Sequence, residues 1–297
     1  MDIKLLRTFQ AVVDCGTYAR AAEQLGYTQS TVTVHIKQLE HDLGIPLFER
    51  IGRRMVLTEK GAEALGQASA IIAAADRLAT LGATENGLSG TLRVDVAESL
   101  ICHAMNNVLA EFRQRAPRVQ LRLRDGSFAH IARALHQGEC DLGVLYAVDW
   151  QPEDMVVEPL ATVSTIGIAA AGAMAPDLAT PESRVEVPFI IDEPDDVFRI
   201  GFERHLHAQH IELADTMELW TSQAIRKLVS LGMGFTIAPR FAVADDVAAG
   251  IFQEVHGPFE DDTFPVLLTH RKTTWLSPAA RLFIELLRKY LPAAVSR

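Results

Sequence analysis

Gly16 and Gly26 each fall just past a run of apolar residues at helical spacing, and Gly44-Ile45-Pro46 follows a third such run, so the first 45 residues are limited to three short helices. Ile3, Leu6, Phe9, Val12 and Val13 make the first stripe, and Tyr18–Leu25 is a short alanine-rich second helix. The third, from Thr28 or Gln29 to about Leu43, is expected to bury Val32, Ile36, Leu39 and Leu43 on one face. A tight glycine turn between the second and third predicts a helix-turn-helix. Two short extended runs around Gly52, Arg53 and Arg54 predict a β-hairpin wing, completing a domain over 1–58.

Thr58 is a fitting N-cap for the next element, with Glu59 in its first turn. From Glu59 to about Gly82 the chain is alanine-rich, with Leu65, Ile72 and Ala79 at heptad spacing. A helix of this length cannot bury that stripe alone, which predicts a homodimer through residues 59–82. Gly82–Gly90 reads as a hinge, closing a linker over 59–90. Beyond it, apolar alternation at Leu92, Val94 and Val96 and again at Val119–Leu123, with helices over 99–115 and around Ile131–Gly138, predicts a βαβαβ start and a mostly parallel sheet. Further strands are expected near 162–170, 187–191, 211–217, 235–238 and 263–270, and helices near 196–209, 221–231, 241–249 and 277–290. The module over 91–297 is thus expected to hold two α/β subdomains, one about 91–161 with 268–297 and the other about 162–267. A ligand site is expected between them, at the carboxyl ends of the strands.

The formal net charge of −10 argues at first against a nucleic-acid partner. Its distribution reverses that, because residues 1–60 carry eight basic and seven acidic side chains, with no acid between Glu23 and Glu40. No signal-peptide or transmembrane pattern is visible, so a cytoplasmic location with no membrane contact is expected. Cys15, Cys102 and Cys140 are too scattered for a disulfide framework or zinc finger and are expected as reduced, buried thiols.

Phe9, Ala21-Ala22, Leu25, Gln29-Ser30, Ile36, Leu39-Glu40, Leu43-Gly44, Leu47-Phe48, Arg50, Arg53, Leu57-Thr58 and Gly61 occur in order and without a gap. This pattern resembles the N-terminal motif of the LysR-type transcriptional regulators. Glu98-Ser99-Leu100, Phe112 with Pro117, Gly138–Leu142 and Val229–Gly234 extend the likeness over essentially the whole chain. Met105-Asn106 and Ala170-Ala171-Gly172 depart from frequent family segments, which weakens the transfer of ligand contacts but not of DNA binding. The resemblance implies an α/β protein with a winged helix-turn-helix, a long linker helix and a periplasmic-binding-protein-like effector module. It also implies double-stranded promoter DNA and a small-molecule effector as partners, and a homodimer commonly doubled to a homotetramer.

The third helix presents Thr28, Gln29, Ser30, Thr31, Thr33, Val34, His35, Lys37 and Gln38 away from its buried stripe. Glutamine suits adenine edges and valine a thymine methyl, so Gln29, Thr31, Thr33, Val34 and His35 are expected near bases in the major groove. Ser30, Lys37, Arg53 and Arg54 are expected at phosphates or the minor groove, with Thr28 capping and Arg50 in either role. Ser99 and Ser127 stand where a strand meets a helix, where free N–H groups favour anions. With Phe128, Asp192, Thr221 and Ser222 they are the effector candidates the resemblance implies, each hydroxyl serving equally as a simple N-cap. Asp192 and Glu193 suit a ligand with an amino or other cationic group, or a solvated loop. His205, His207 and His210 invite a metal, but lack a supporting pattern, so no metal and no cofactor is expected. Cys102 is a redox sensor if a helix N-terminus lowers its thiol pKa, and a buried thiol otherwise. An enzyme built on the C-terminal part and an architectural DNA binder are the competing functions; G-x-S-x-G, H-E-x-x-H and P-loop motifs are missing, so no enzyme is expected.

Overall fold

The computed structural model describes residues 2–51, 54–80, 88–219 and 221–296. Contacts divide the chain into two compact units, Met1–Asn86 with Ala134–Cys140, and Gly87–Arg133 with Asp141–Arg297.

In the first unit, α1 (Ile3–Cys15), α2 (Tyr18–Leu25) and α3 (Gln29–Leu43) open on side-chain caps from Asp2, Thr17 and Thr28. Each closes on a glycine in the left-handed region, Gly16, Gly26 and Gly44. Their inner faces bury Phe9, Val32, Ile36, Leu39 and, just beyond, Leu47, whereas Leu43, expected in the same face, is exposed in the last turn before Gly44. The wing is an antiparallel pair, β1 (Phe48–Ile51) and β2 (Arg54–Leu57), in register from Phe48 opposite Leu57 to Ile51 opposite Arg54. Its root is fastened to α3 by Glu40, whose Oε1 accepts from the N–H of Leu47 at 2.8 Å and of Phe48 at 3.4 Å. Phe48 also meets Phe9 edge to face with ring centroids 5.6 Å apart.

Thr58 opens α4 (Glu59–Thr80): its hydroxyl accepts from Gly61 N–H and donates to the Pro46 carbonyl, both at 2.8 Å. That close seating explains Gly61, where a Cβ would lie 2.1 Å from the Leu47 carbonyl oxygen. Ala68 and Ile72 of α4 join the core of this unit, while Leu78 is exposed. Of the hinge expected at Gly82–Gly90, residues 82–87 lie outside the described residues.

The second unit begins β3 (Ser89–Val96), α5 (Glu98–His103), α6 (Asn106–Arg115), β4 (Arg118–Asp125), α7 (Phe128–Gln137), β5 (Leu142–Tyr146). It continues β6 (Met155–Ala170), β7 (Arg184–Val185), β8 (Phe189–Ile191), α8 (Val197–Ala208), β9 (Glu212–Leu213), β10 (Thr216–Glu218). It ends α9 (Ser222–Ser230), β11 (Phe235–Pro239), α10 (Arg240–Ala248), β12 (Phe252–Val255), β13 (Thr263–Arg271) and α11 (Pro278–Val295). The strand order is β10-β8-β11-β6-β13-β5-β3-β4, with β12 also on β6.

The sheet is mixed rather than mostly parallel. β3 runs parallel to β4 and β5, and β8 to β10 and β11, but β6 and β13 are antiparallel to each other and to β5, β11 and β12. The sequence concealed the first half of β6 because Glu158, Pro159 and Thr162 interrupt its apolar run. The register of β13 on β6 steps between Val266, opposite Ala161, and Leu267, opposite Pro159, a bulge that skips Leu160. The single helix expected over 99–115 is two, parted at Ala104 and Met105, both of which are buried. The strand expected near 211–217 is likewise two short ones in different sheets, and β12 had no sequence counterpart.

Adding one methyl at Gly61 forces α4 off the Leu47 carbonyl. Gly61→Ala is expected to lower the stability of the head by about 1–3 kcal/mol, read as a lower urea midpoint, whereas Ala62→Ser on the exposed side of the same turn changes it by less than about 0.5 kcal/mol.

Candidate functional site

The exposed side of α3 collects most of the residues that the sequence singled out. Thr28 caps the helix, its hydroxyl accepting from Thr31 N–H at 3.2 Å and bonding the hydroxyls of Ser30 and Thr31, each at 2.8 Å. Gln29, Ser30 and Lys37 are exposed, and Val34 shows 62% of its surface. Thr33 is partly occupied, donating to the Gln29 carbonyl at 2.9 Å. An apolar side chain left this open beside hydroxyls and an amide is what a major-groove surface requires. Arg50 is exposed on β1 and Arg54 begins β2; Arg53 lies outside the described residues.

His35 is half-buried and held, which its sequence position did not reveal. The buried Thr8 hydroxyl donates to the Lys4 carbonyl at 2.8 Å, so at 2.9 Å from His35 Nδ1 its oxygen accepts that ring N–H. In neutral imidazole this leaves Nε2 an acceptor, suited to an amino group on a base edge. Tyr27 meets the same ring edge to face at 5.5 Å.

In the second unit a cavity of about 180 Å³ lies where α5, α7, α8 and α9 all begin. Ser99, Ser127, Phe128, Asp192 and Ser222 stand in its wall. Thr221 does not; its hydroxyl accepts from Ala224 N–H at 3.2 Å and caps α9. Ser99, by contrast, is no cap, for its hydroxyl bonds the Tyr146 phenol at 2.8 Å, where burial keeps the phenol proton on. Ser127 accepts from His130 N–H at 3.4 Å.

Carboxylates dominate the wall: Glu98, Asp125, Asp192, Glu193, Asp195 and Asp196. Glu98 Oε2 accepts from Ser222 N–H at 3.2 Å, and Asp196 Oδ1 accepts from Phe198 and Arg199 N–H, each at 2.9 Å. Burial raises Asp192, with Glu98 and Asp195 adding repulsion, and raises Glu193 beside Asp195 and Asp192. Burial takes Asp196 furthest, to about 6. Arg226 is the wall's basic counterweight, but it is ion-paired to Asp246 and donates to His103 Nε2 at 3.0 Å. Burial, with that contact adding to it, pushes His103 down, towards the uncharged form. Glu98, Asp196 and Arg226 were missed because no local pattern joins them; Glu98, Asp125 and Asp192 do share one signal, a position at the carboxyl end of a strand.

One expectation fails at Cys102, and the structure disperses the three histidines. Cys102 is exposed rather than buried, because it lies on the outer face of α5, and partial burial of its sulfur with the nearby Glu98 and Asp125 raises its pKa, opposite to a sensor thiol. His210 is not on a helix with His207: α8 ends at Ala208 and His210 has φ of 54°. His205 Nε2 is instead engaged by Asp262 at 2.8 Å, and among the described residues no group of three or more metal-type ligands forms.

The family described as "Bacterial regulatory helix-turn-helix protein, lysR family" matches residues 3–62, and "LysR substrate binding domain" matches 85–292. An uncharacterized HTH-type transcriptional regulator, YfiE, of Escherichia coli is 35% identical over 96% of this chain and 97% of its own. The RuBisCO operon transcriptional regulator of Allochromatium vinosum is 27% identical over 96% and 95%. Among solved structures, a full-length OxyR variant of Pseudomonas aeruginosa aligns with a TM-score of 0.68 at 20% identity, covering 99% and 97%. CbnR complexed with its target DNA aligns at 0.64 and 22%, covering 97% and 99%. Among the described residues no helix is long and apolar enough to cross a membrane.

Asp196 makes stability pH-dependent. Its pKa is raised on folding from 3.8 to about 6, so the stability it contributes as the neutral acid is complete below 3.8 and is lost as pH rises through about 6. Part of its surface still meets the cleft, so the ceiling of about 3 kcal/mol is not fully reached. Asp196→Asn keeps an acceptor for both helix N–H groups and removes the charge. Chemical denaturation at pH 5 and 7.5 is expected to show the variant gaining more on wild type at the higher pH.

Proposed function

The chain belongs to the LysR-type transcriptional regulators, DNA-binding proteins with an effector-binding domain, and from that premise we propose that α3 reads promoter DNA and that the cleft at the start of α5, α7, α8 and α9 takes the effector. The observation that carries this is one chain holding both an exposed α3 face with an open valine and no acid from Thr28 to Gln38, and a carboxylate-walled cleft within the matched effector region. Gln29, Thr31, Thr33, Val34 and His35 face bases; Ser30, Lys37, Arg50, Arg53 and Arg54 meet phosphates or the minor groove. Ser99, Ser127, Phe128, Asp192 and Ser222 line the effector's place, and Thr221 acts through the cap of α9. The protein works on the chromosome, in the cytoplasm, as a dimer through α4, whose Ile71 and Leu78 stay exposed, and as a tetramer through its effector modules. Its cleft carboxylates serve binding and not catalysis.

Effector control requires two arrangements of the module with different affinity for the ligand. The bulge beside Leu160 on β6 supports a hinge near 161 and 267, where the two subdomains divide.

Footprinting is expected to reveal half-sites spaced by whole helical turns. Gln29→Ala is expected to cost about 1–3 kcal/mol on the specific site and nothing on non-specific DNA. Thr8→Val removes the acceptor that holds His35 and is expected to weaken specific binding by about 0.5–1.5 kcal/mol while leaving non-specific binding unchanged; equal loss on every sequence overturns base reading. Metabolites of all charge classes, screened by thermal shift of the full chain, are expected to include at least one that stabilises wild type but not the cavity-filling Ser222→Phe. No such compound overturns the effector site.

A further inference from the structure

We propose that the effector carries a protonated nitrogen, an ammonium or guanidinium group, held between Glu98 and Asp192. The inference rests on the cleft being the effector site and names the ligand's chemistry.

The cavity makes the site, and its wall decides the charge. Six carboxylates face it, against one arginine already spent on Asp246 and on the ring of His103. A wall built from four helix starts would ordinarily favour an anion. Here two of those starts are served by the protein's own carboxylates: Glu98 takes the Ser222 N–H of α9, and Asp196 takes the Phe198 and Arg199 N–H groups of α8. At those two starts an anionic ligand would have to displace them, and anywhere in the cleft it meets Asp192, Glu193 and Asp195. A cation needs no displacement, because an acceptor-only carboxylate bound by one N–H has further lone pairs to offer.

Glu98 and Asp192 repel each other, and each comes from a different part of the sheet: Glu98 follows β3, and Asp192 follows β8. A cation between them turns that repulsion into two charge-assisted contacts. It therefore favours arrangements that bring β3 and β8 ends together, which is the differential binding that a switch requires. Ile191, Phe198, Ile225 and Val243 supply an apolar floor for a short hydrocarbon body.

The test is thermal shift of the full chain at neutral pH with matched probes: butylamine, 1,4-diaminobutane and methylguanidine against butyrate, succinate and sodium chloride at equal ionic strength. At least one cationic probe is expected to raise Tm by several degrees, with the carboxylates matching the salt control. Glu98→Gln and Asp192→Asn, which keep side-chain size and remove like charge, are each expected to weaken its apparent Kd about tenfold or more. Cationic probes no better than sodium chloride overturn the proposal, as does equal binding to the variants. Stabilisation by butyrate or succinate, abolished by Ser222→Phe, overturns the cationic class and leaves the effector site standing. The wild-type comparison alone decides the class if a variant does not fold.

Discussion

The antiparallel pairing of β6 with β13 is the constraint on which the second unit depends. β6 is 16 residues long, pairs with β13 from Met155 to Ser164 and then with β11 from Thr165 to Ala169. One continuous strand thus carries the parallel set around β3 and the parallel set around β8 in a single sheet. Because strands on both sides end towards the same cavity, four helices begin around it, and the polar groups of four helix starts meet there. The bulge between Val266 and Leu267 is a local break in that ladder, and therefore the natural place for it to bend.

That geometry creates an electrostatic problem that the sequence then solves in an unusual way. Unmet N–H groups at buried helix starts need partners. Serine and threonine hydroxyls serve α7 and α9, but carboxylates serve α8 and share α9. The consequence is a cleft whose own structure has consumed much of its affinity for anions and left a surplus of negative charge, with the pKa of Asp196 raised to about 6 by burial. Capping and ligand choice are in this way the same decision.

The head follows a different logic, in which nearly every feature is local. Its glycines, caps and apolar stripes occur within a few residues of one another, so the three helices and the wing were legible from spacing alone. What escaped was the support beneath the surface. Thr8 orients His35 from 27 residues away, and Glu40 fastens the wing across seven. Gly61 was visible as part of a resemblance, yet its reason is the Leu47 carbonyl that a side chain would strike. In the second unit the mostly parallel sheet and the unbroken helix over 99–115 both failed, because each extended a local periodicity through a point where tertiary burial took over.

The sequence by itself determined the class of the protein, the course of α1 to α4 and the wing, and the hydroxyls at helix starts, since caps, stops and amphipathic periods act within one or two turns. It also carried Asp192 as a hint of cationic chemistry, without a site to place it in. Tertiary structure alone decided that Glu98, Asp192 and Asp196 share a wall and that Arg226 is neutralised there. Charges separated by almost a hundred residues interact only after the sheet has closed the distance and burial has removed the water that screens them.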